Sequence, residues 1–110
     1  MSKEKNITLV KQLHYIWNTG EVNLIPSVYS NDIIVHWAKG WGPASKGLEE
    51  IEKSILSTRN IFHNWHEEII DLIADGEKVT SRYVSTGEHR QEYMGIPASG
   101  KNIEFQEISI

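Results

Sequence analysis

Apolar residues recur at three- and four-residue steps over residues 4–18, where Ile7, Val10, Leu13 and Trp17 form a stripe that Leu9 and Ile16 broaden. Such spacing puts them on one face of a helix. Thr19-Gly20 supplies the stop, glycine being suited to the left-handed cap. A short second helix is expected over residues 22–29, offering Leu24, Ile25, Val28 and Tyr29, with Pro26 in its first turn and Ser30-Asn31-Asp32 as its end. Residues 33–37 read as a strand, β-branched at its centre. Residues 38–45 read as a loop carrying Trp41. Ser45 is placed to N-cap a third helix with the buried stripe Leu48, Ile51, Ile55 and Leu56 and with Glu49 and Glu50 at its positive end.

The periodicity then changes from helical to alternating. Residues 65–73 and 78–89 flank Ala74-Asp75-Gly76-Glu77, and Asp-Gly is a strong hairpin signal. In the second arm Val79, Ser81, Tyr83 and Ser85 share one face, and Thr80, Arg82, Val84 and Thr86 the other. A compact Met94-Gly95-Ile96-Pro97-Ala98-Ser99-Gly100 link leads to a last strand from about Lys101. There Ile103 and Phe105 share a face while Ile108 and Ile110 lie opposite, which implies a bulge near Gln106-Glu107 or burial on both sides. Helix, helix, strand, helix and then consecutive strands make an α+β order. A curved antiparallel sheet on three helices of the N-terminal half would form a cone with a concave site, a cystatin-like α+β roll.

Composition narrows what such a cone would hold. The 110 residues suit one domain, 1–110, and 39% apolar with 24% charged residues suits a globular chain. A net charge of −4 argues against nucleic acid as the main partner. Cysteine is absent, which excludes disulfides and thiolate metal sites. No stretch has the apolar core of a signal peptide or the length to span a bilayer, so a cytoplasmic location and no membrane partner are expected. Four Trp and four Tyr are many for this length and suggest aromatic walls.

Three motifs carry a family resemblance: Tyr15-x-Trp17-Asn18-x-Gly20, Ile73-Ala74-x-Gly76-x-x-Val79, and Gly87-x-His89-x-x-x-Tyr93-Met94-Gly95-Ile96-Pro97-x-x-Gly100. Together with the element order they resemble the SnoaL-like polyketide cyclase (ester cyclase) family of the nuclear-transport-factor-2-like superfamily, over essentially the whole chain. The resemblance implies a cone-shaped pocket in a homodimer and an intramolecular aldol ring closure on a polyketide ester. The ligand is then a small hydrophobic or aromatic carbonyl-bearing molecule, handled without a cofactor. The family pattern runs on into one more long strand bearing an acid–base aspartate. No residue up to Ile110 matches it, so the strand of residues 102–110 is expected to have an open edge.

Aldol chemistry needs a base beside a carbonyl and donors for the enolate oxygen. His36, after the apolar Ile33-Ile34-Val35 run, is a candidate to project into the cone, and a satisfied structural histidine is the alternative; where the family often has Asp-His, Val35 replaces the Asp. Glu104 and Gln106 share a strand face that could line the cavity, where a buried carboxylate would have its pKa raised, or could lie on a solvated edge. Tyr15, Trp17, Trp37, Trp41, Arg82, His89, Tyr93 and Met94 are candidate pocket residues. Packing is the alternative for the aromatics, a surface ion pair for Arg82 and loop organisation for His89. His63-x-x-His66 has metal-like spacing but sits at a helix-to-strand junction without a third ligand, and no metal is expected. A non-catalytic binding module and a dimerisation module of the same fold are the rival readings.

Overall fold

The computed structural model describes residues 3–37, 43–76, 78–92 and 96–109. The elements are α1 (Lys3–Thr19), a 3-10 turn (Val22–Leu24), α2 (Ile25–Val28), β1 (Ile34–Val35), β2 (Ser45–Lys46), α3 (Gly47–Ile61), β3 (Phe62–Asp75), β4 (Lys78–His89) and β5 (Asn102–Ser109). β3, β4 and β5 form an antiparallel meander, and β1 and β2 a separate antiparallel pair. The architecture is α+β, three helices against a curved antiparallel sheet, as the element order requires. No described helix is long and apolar enough to cross a membrane.

The hydrocarbon core lies between the helices. Ile16 and Trp17 of α1, Ile25 of α2, Tyr29 and the α3 pair Ile51 and Ile55 pack together, and Ile16, Ile51 and Ile55 are wholly excluded from solvent. Each such side chain stabilises the fold by roughly 1.5–3 kcal/mol relative to exposure. The end of α1 is held from two sides. Gly20, at φ +77°, donates its N–H to the Ile16 carbonyl at 2.8 Å. Arg59 of α3 donates to the carbonyls of Trp17 at 3.0 Å and Asn18 at 2.7 Å, a cation set on the negative end of the helix.

Asn18 then ties α1 to the edge of the sheet. Among the described residues β3 is paired on one side only, so its outward amides need partners. The Asn18 carboxamide supplies them for Glu67, accepting from its N–H at 2.6 Å and donating to its carbonyl at 3.2 Å.

β3 carries register shifts between His63 and His66 and between Ile69 and Asp71. Each shift reverses which side chains face the helices, so the inward set runs Phe62, then Trp65, Glu67 and Ile69, then Leu72 and Ala74. Asn64 takes φ +58° within the first, a left-handed conformation that asparagine tolerates better than most residues. The expected bulge in the last strand is not found: β5 pairs with β4 in one unbroken register from Ser81↔Ser109 to Glu88↔Asn102. The expected Ser45 cap is also corrected. Lys46 occupies the N-cap of α3 without a side-chain cap bond, and the Ser45 hydroxyl instead accepts from Trp37 Nε1 at 3.0 Å.

Candidate functional site

Between the helices and the inner face of the sheet lies a cavity of about 680 Å³. The helical side and the β1 region supply apolar walls: Val10, Leu13 and Trp17 of α1, Tyr29, Ile33, Val35 and Trp37. The sheet side is different. Beside the apolar Phe62, Trp65 and Val79 it presents the polar groups Glu67, Ser81, Tyr83 and Glu107, of which Glu67 and Ser81 are buried.

These groups are organised around His14. Nδ1 lies 2.6 Å from Glu67 Oε1 and Nε2 lies 2.8 Å from Ser81 Oγ, with all three residues buried. A carboxylate can only accept, which assigns the hydrogen to Nδ1 and leaves Nε2 facing the serine hydroxyl. Trp65 Nε1 donates to the second oxygen of Glu67 at 3.0 Å. The Tyr83 ring stands edge-on to the imidazole, its centroid 4.4 Å away. Every side-chain acceptor of Glu67 and both ring nitrogens of His14 therefore have partners inside the fold.

Glu107 lies beside this network from β5. Its register partner is Tyr83, and Ser85 donates a hydrogen bond to its Oε2. Burial pushes the Glu107 carboxyl above the ordinary glutamate range; the Ser85 bond pulls it back, the Glu67 carboxylate adds to the rise, and His14 opposes it. Tyr29, across the cavity, is pushed up to about 12, chiefly by burial. The wall thus combines a half-buried carboxyl raised above its ordinary range by burial, a buried imidazole–carboxylate pair and a phenol that stays neutral. Among the described residues, no group of three or more His, Asp or Glu is arranged to hold a metal ion.

The model of the SnoaL-like polyketide cyclases matches residues 7–110. The chain belongs to that family. Among solved structures, TsrD from Streptomyces laurentii superposes with a TM-score of 0.83 at 18% identity, covering 98% of this chain and 78% of that one. IdmH from Streptomyces antibioticus, a provisionally assigned polyketide cyclase, gives 0.78 at 21% identity over 94% of this chain and 78% of its own. At those identities the likeness speaks for the fold. A provisionally assigned polyketide cyclase from Bacillus cereus is 30% identical with a TM-score of 0.73, over 94% of this chain and 62% of its own. No curated protein matches the chain at a significant level.

On this SnoaL-like frame, the residues expected to form the site separate into three groups. Trp17, Trp37 and His36 line the cavity, His36 exposed at its mouth. Glu104 and Gln106 do not line it: the unbroken β5 register turns them to the exposed outer face beside Thr86 and Val84 and turns Glu107 inward instead. Arg82 is likewise on the outer face, bonded to Asp71 Oδ2 through Nε at 3.1 Å and Nη2 at 2.7 Å. Tyr15 points off the buried face of α1, 49% exposed, and donates to Glu21. His89 is buried outside the cavity, 5.5 Å from the Phe62 ring, where its backbone pairs with Gly100 and Lys101 to pin the re-entering chain. Trp41, Tyr93 and Met94 lie outside the described residues.

Sequence reasoning missed His14, Glu67, Ser81, Tyr29 and Glu107 as site residues. A signal existed for the first: Val10, His14 and Trp17 stand at helical spacing, so a histidine falls inside the apolar stripe.

Proposed function

We propose that this SnoaL-like chain carries out acid–base chemistry of the cyclase or isomerase type on a small, largely apolar, carbonyl-bearing ligand held in the cavity. The observation that carries this is Glu107, a half-buried carboxyl pushed above its ordinary range chiefly by burial, on a cavity whose opposite wall is apolar. A carboxyl so placed exchanges a proton with carbon or oxygen nearer neutral pH than a solvated one. Glu107 moves the proton; the His14–Glu67 pair behind it sets the local field; His36 orients the ligand at the mouth. Homodimeric assembly and a cytoplasmic location, expected from the family resemblance and the sequence, belong to the same proposal. Sedimentation and cell fractionation test them.

A second reading, a pocket that binds without turnover, draws on the pairing of the buried network: each ring nitrogen of His14 and each side-chain oxygen of Glu67 has a partner among His14, Glu67, Ser81 and Trp65. One experiment separates the two. Deuterium uptake at the carbon beside the carbonyl of 1-tetralone, followed by NMR in D₂O, is expected to be accelerated by the protein and slowed on the order of 100-fold by Glu107→Gln. Saturable binding with no acceleration selects the binding module. Equal rates in wild type and Glu107→Gln remove Glu107 from the chemistry.

A further inference from the structure

Tyr29 is buried at 9% exposure, lines the cavity, and receives a hydrogen bond from Trp17 Nε1 at 3.1 Å. A phenol has one hydrogen to donate as well as lone pairs to accept with. The Trp17 bond uses the oxygen as acceptor, and no described residue accepts the Tyr29 hydrogen. Glu67, the carboxylate whose field reaches Tyr29, takes its side-chain bonds from His14 at Oε1 and from Trp65 at Oε2, and none from Tyr29. A buried hydroxyl hydrogen left without an acceptor is costly unless something in the cavity takes it.

We infer that Tyr29 is the donor that grips the ligand's carbonyl oxygen, with Trp17 strengthening that donor from behind. The inference rests on the carbonyl-ligand reading and adds the residue that recognises the oxygen. Donation from the indole N–H polarises the phenol and makes its own O–H a better donor. Burial keeps the hydroxyl neutral, so the hydrogen is present throughout the physiological pH range. Negative charge growing on the carbonyl oxygen during proton removal next to it would be held at this point. Tyr29 is then a catalytic residue in its own right, distinct from the proton-transfer role of Glu107.

The test uses two probes that differ only in the carbonyl, 1-tetralone and tetralin, with wild type, Tyr29→Phe and Trp17→Phe. Infrared difference spectra of bound tetralone read the carbonyl hydrogen bond directly, a quantity that a packing role would leave unmoved. In wild type the stretch is expected well below its value in an apolar solvent. Tyr29→Phe should return it most of the way and weaken tetralone binding about tenfold, the scale of one hydrogen bond to a neutral acceptor, with tetralin unaffected. Trp17→Phe should return it part of the way. An unchanged stretch and unchanged affinity in Tyr29→Phe overturn the inference while leaving a carbonyl-binding cavity in place. Failure of wild type to bind either probe overturns the inference and the cavity's proposed function together.

Discussion

The two sides of the cavity are built to different rules. The helical side is a hydrocarbon core in which Ile16, Ile25, Ile51 and Ile55 meet one another with almost no exposed surface. The inner face of the sheet carries Glu67, Ser81 and Ser85 beside Phe62 and Trp65 among its most buried side chains. Folding alone explains the first side, since apolar burial stabilises any globular chain. It does not explain the second. Buried polar groups cost free energy unless fully bonded, and apolar residues of similar shape would serve stability at least as well. The contrast assigns stability to the isoleucine core of the helices and chemistry to the polar wall, which His14 of α1 and Tyr29 complete from the helical side.

Substitutions on each side should separate those roles. Ile51→Ala is expected to have the largest effect on stability, about 2–5 kcal/mol from lost burial plus the cavity it leaves, read as a lower urea midpoint. Its effect on tetralone binding, measured at low urea, should be small. Glu67→Gln comes next at about 1–3 kcal/mol. His14 Nδ1 and Trp65 Nε1 both donate to Glu67, and a carboxamide has one oxygen to offer them, so one donor is left facing an NH₂ group. This variant should lose ligand binding or proton exchange as well as stability, and a loss of stability alone would erase the contrast. The pH dependence carries a smaller signature. A carboxyl raised in the folded state stabilises it by holding a proton more tightly. The contribution of Glu107 is therefore complete below the unfolded value of 4.5 and is lost as pH rises through the raised folded value. Stability curves of wild type and Glu107→Gln should diverge over that interval, with wild type falling relative to the variant. Arg82→Ala on the outer face should be the mildest, within about 1 kcal/mol, because its pair with Asp71 is half-exposed on both sides.

The same contrast explains what could be read in advance. Helical periodicity is a statement about hydrophobic burial, so α1, α3 and the core they share were legible from Val10, Leu13, Trp17, Ile51 and Ile55. The hairpin around Asp75-Gly76 was legible because the turn chemistry is local: Gly76 takes φ +60°. The polar wall was harder because strand parity has to be counted through irregularities. Glu67 sits between two register shifts in β3 that no local signal announces, and each reverses the count. In β5 the error ran the other way. Parity leaves Glu104 and Gln106 either in the cavity or on a solvated edge; the unbroken pairing places them on the exposed face and turns Glu107 inward, and it lacks the shift that Ile108 and Ile110 suggest. His14 was hidden by the assumption that an apolar stripe has only apolar members. Its partners come from β3 and β4, 53 and 67 residues away, and no window along the chain brings them together.

The most direct test of a functional polar wall is a carbon-13 NMR titration of the Glu107 side-chain carboxyl in the intact chain. It should titrate clearly above the ordinary glutamate value of 4.5, and the midpoint should move when a carbonyl ligand fills the cavity. A midpoint at the ordinary value, indifferent to ligand, would mean that Glu107 is solvated and that the wall it anchors is no more than an unusual piece of packing.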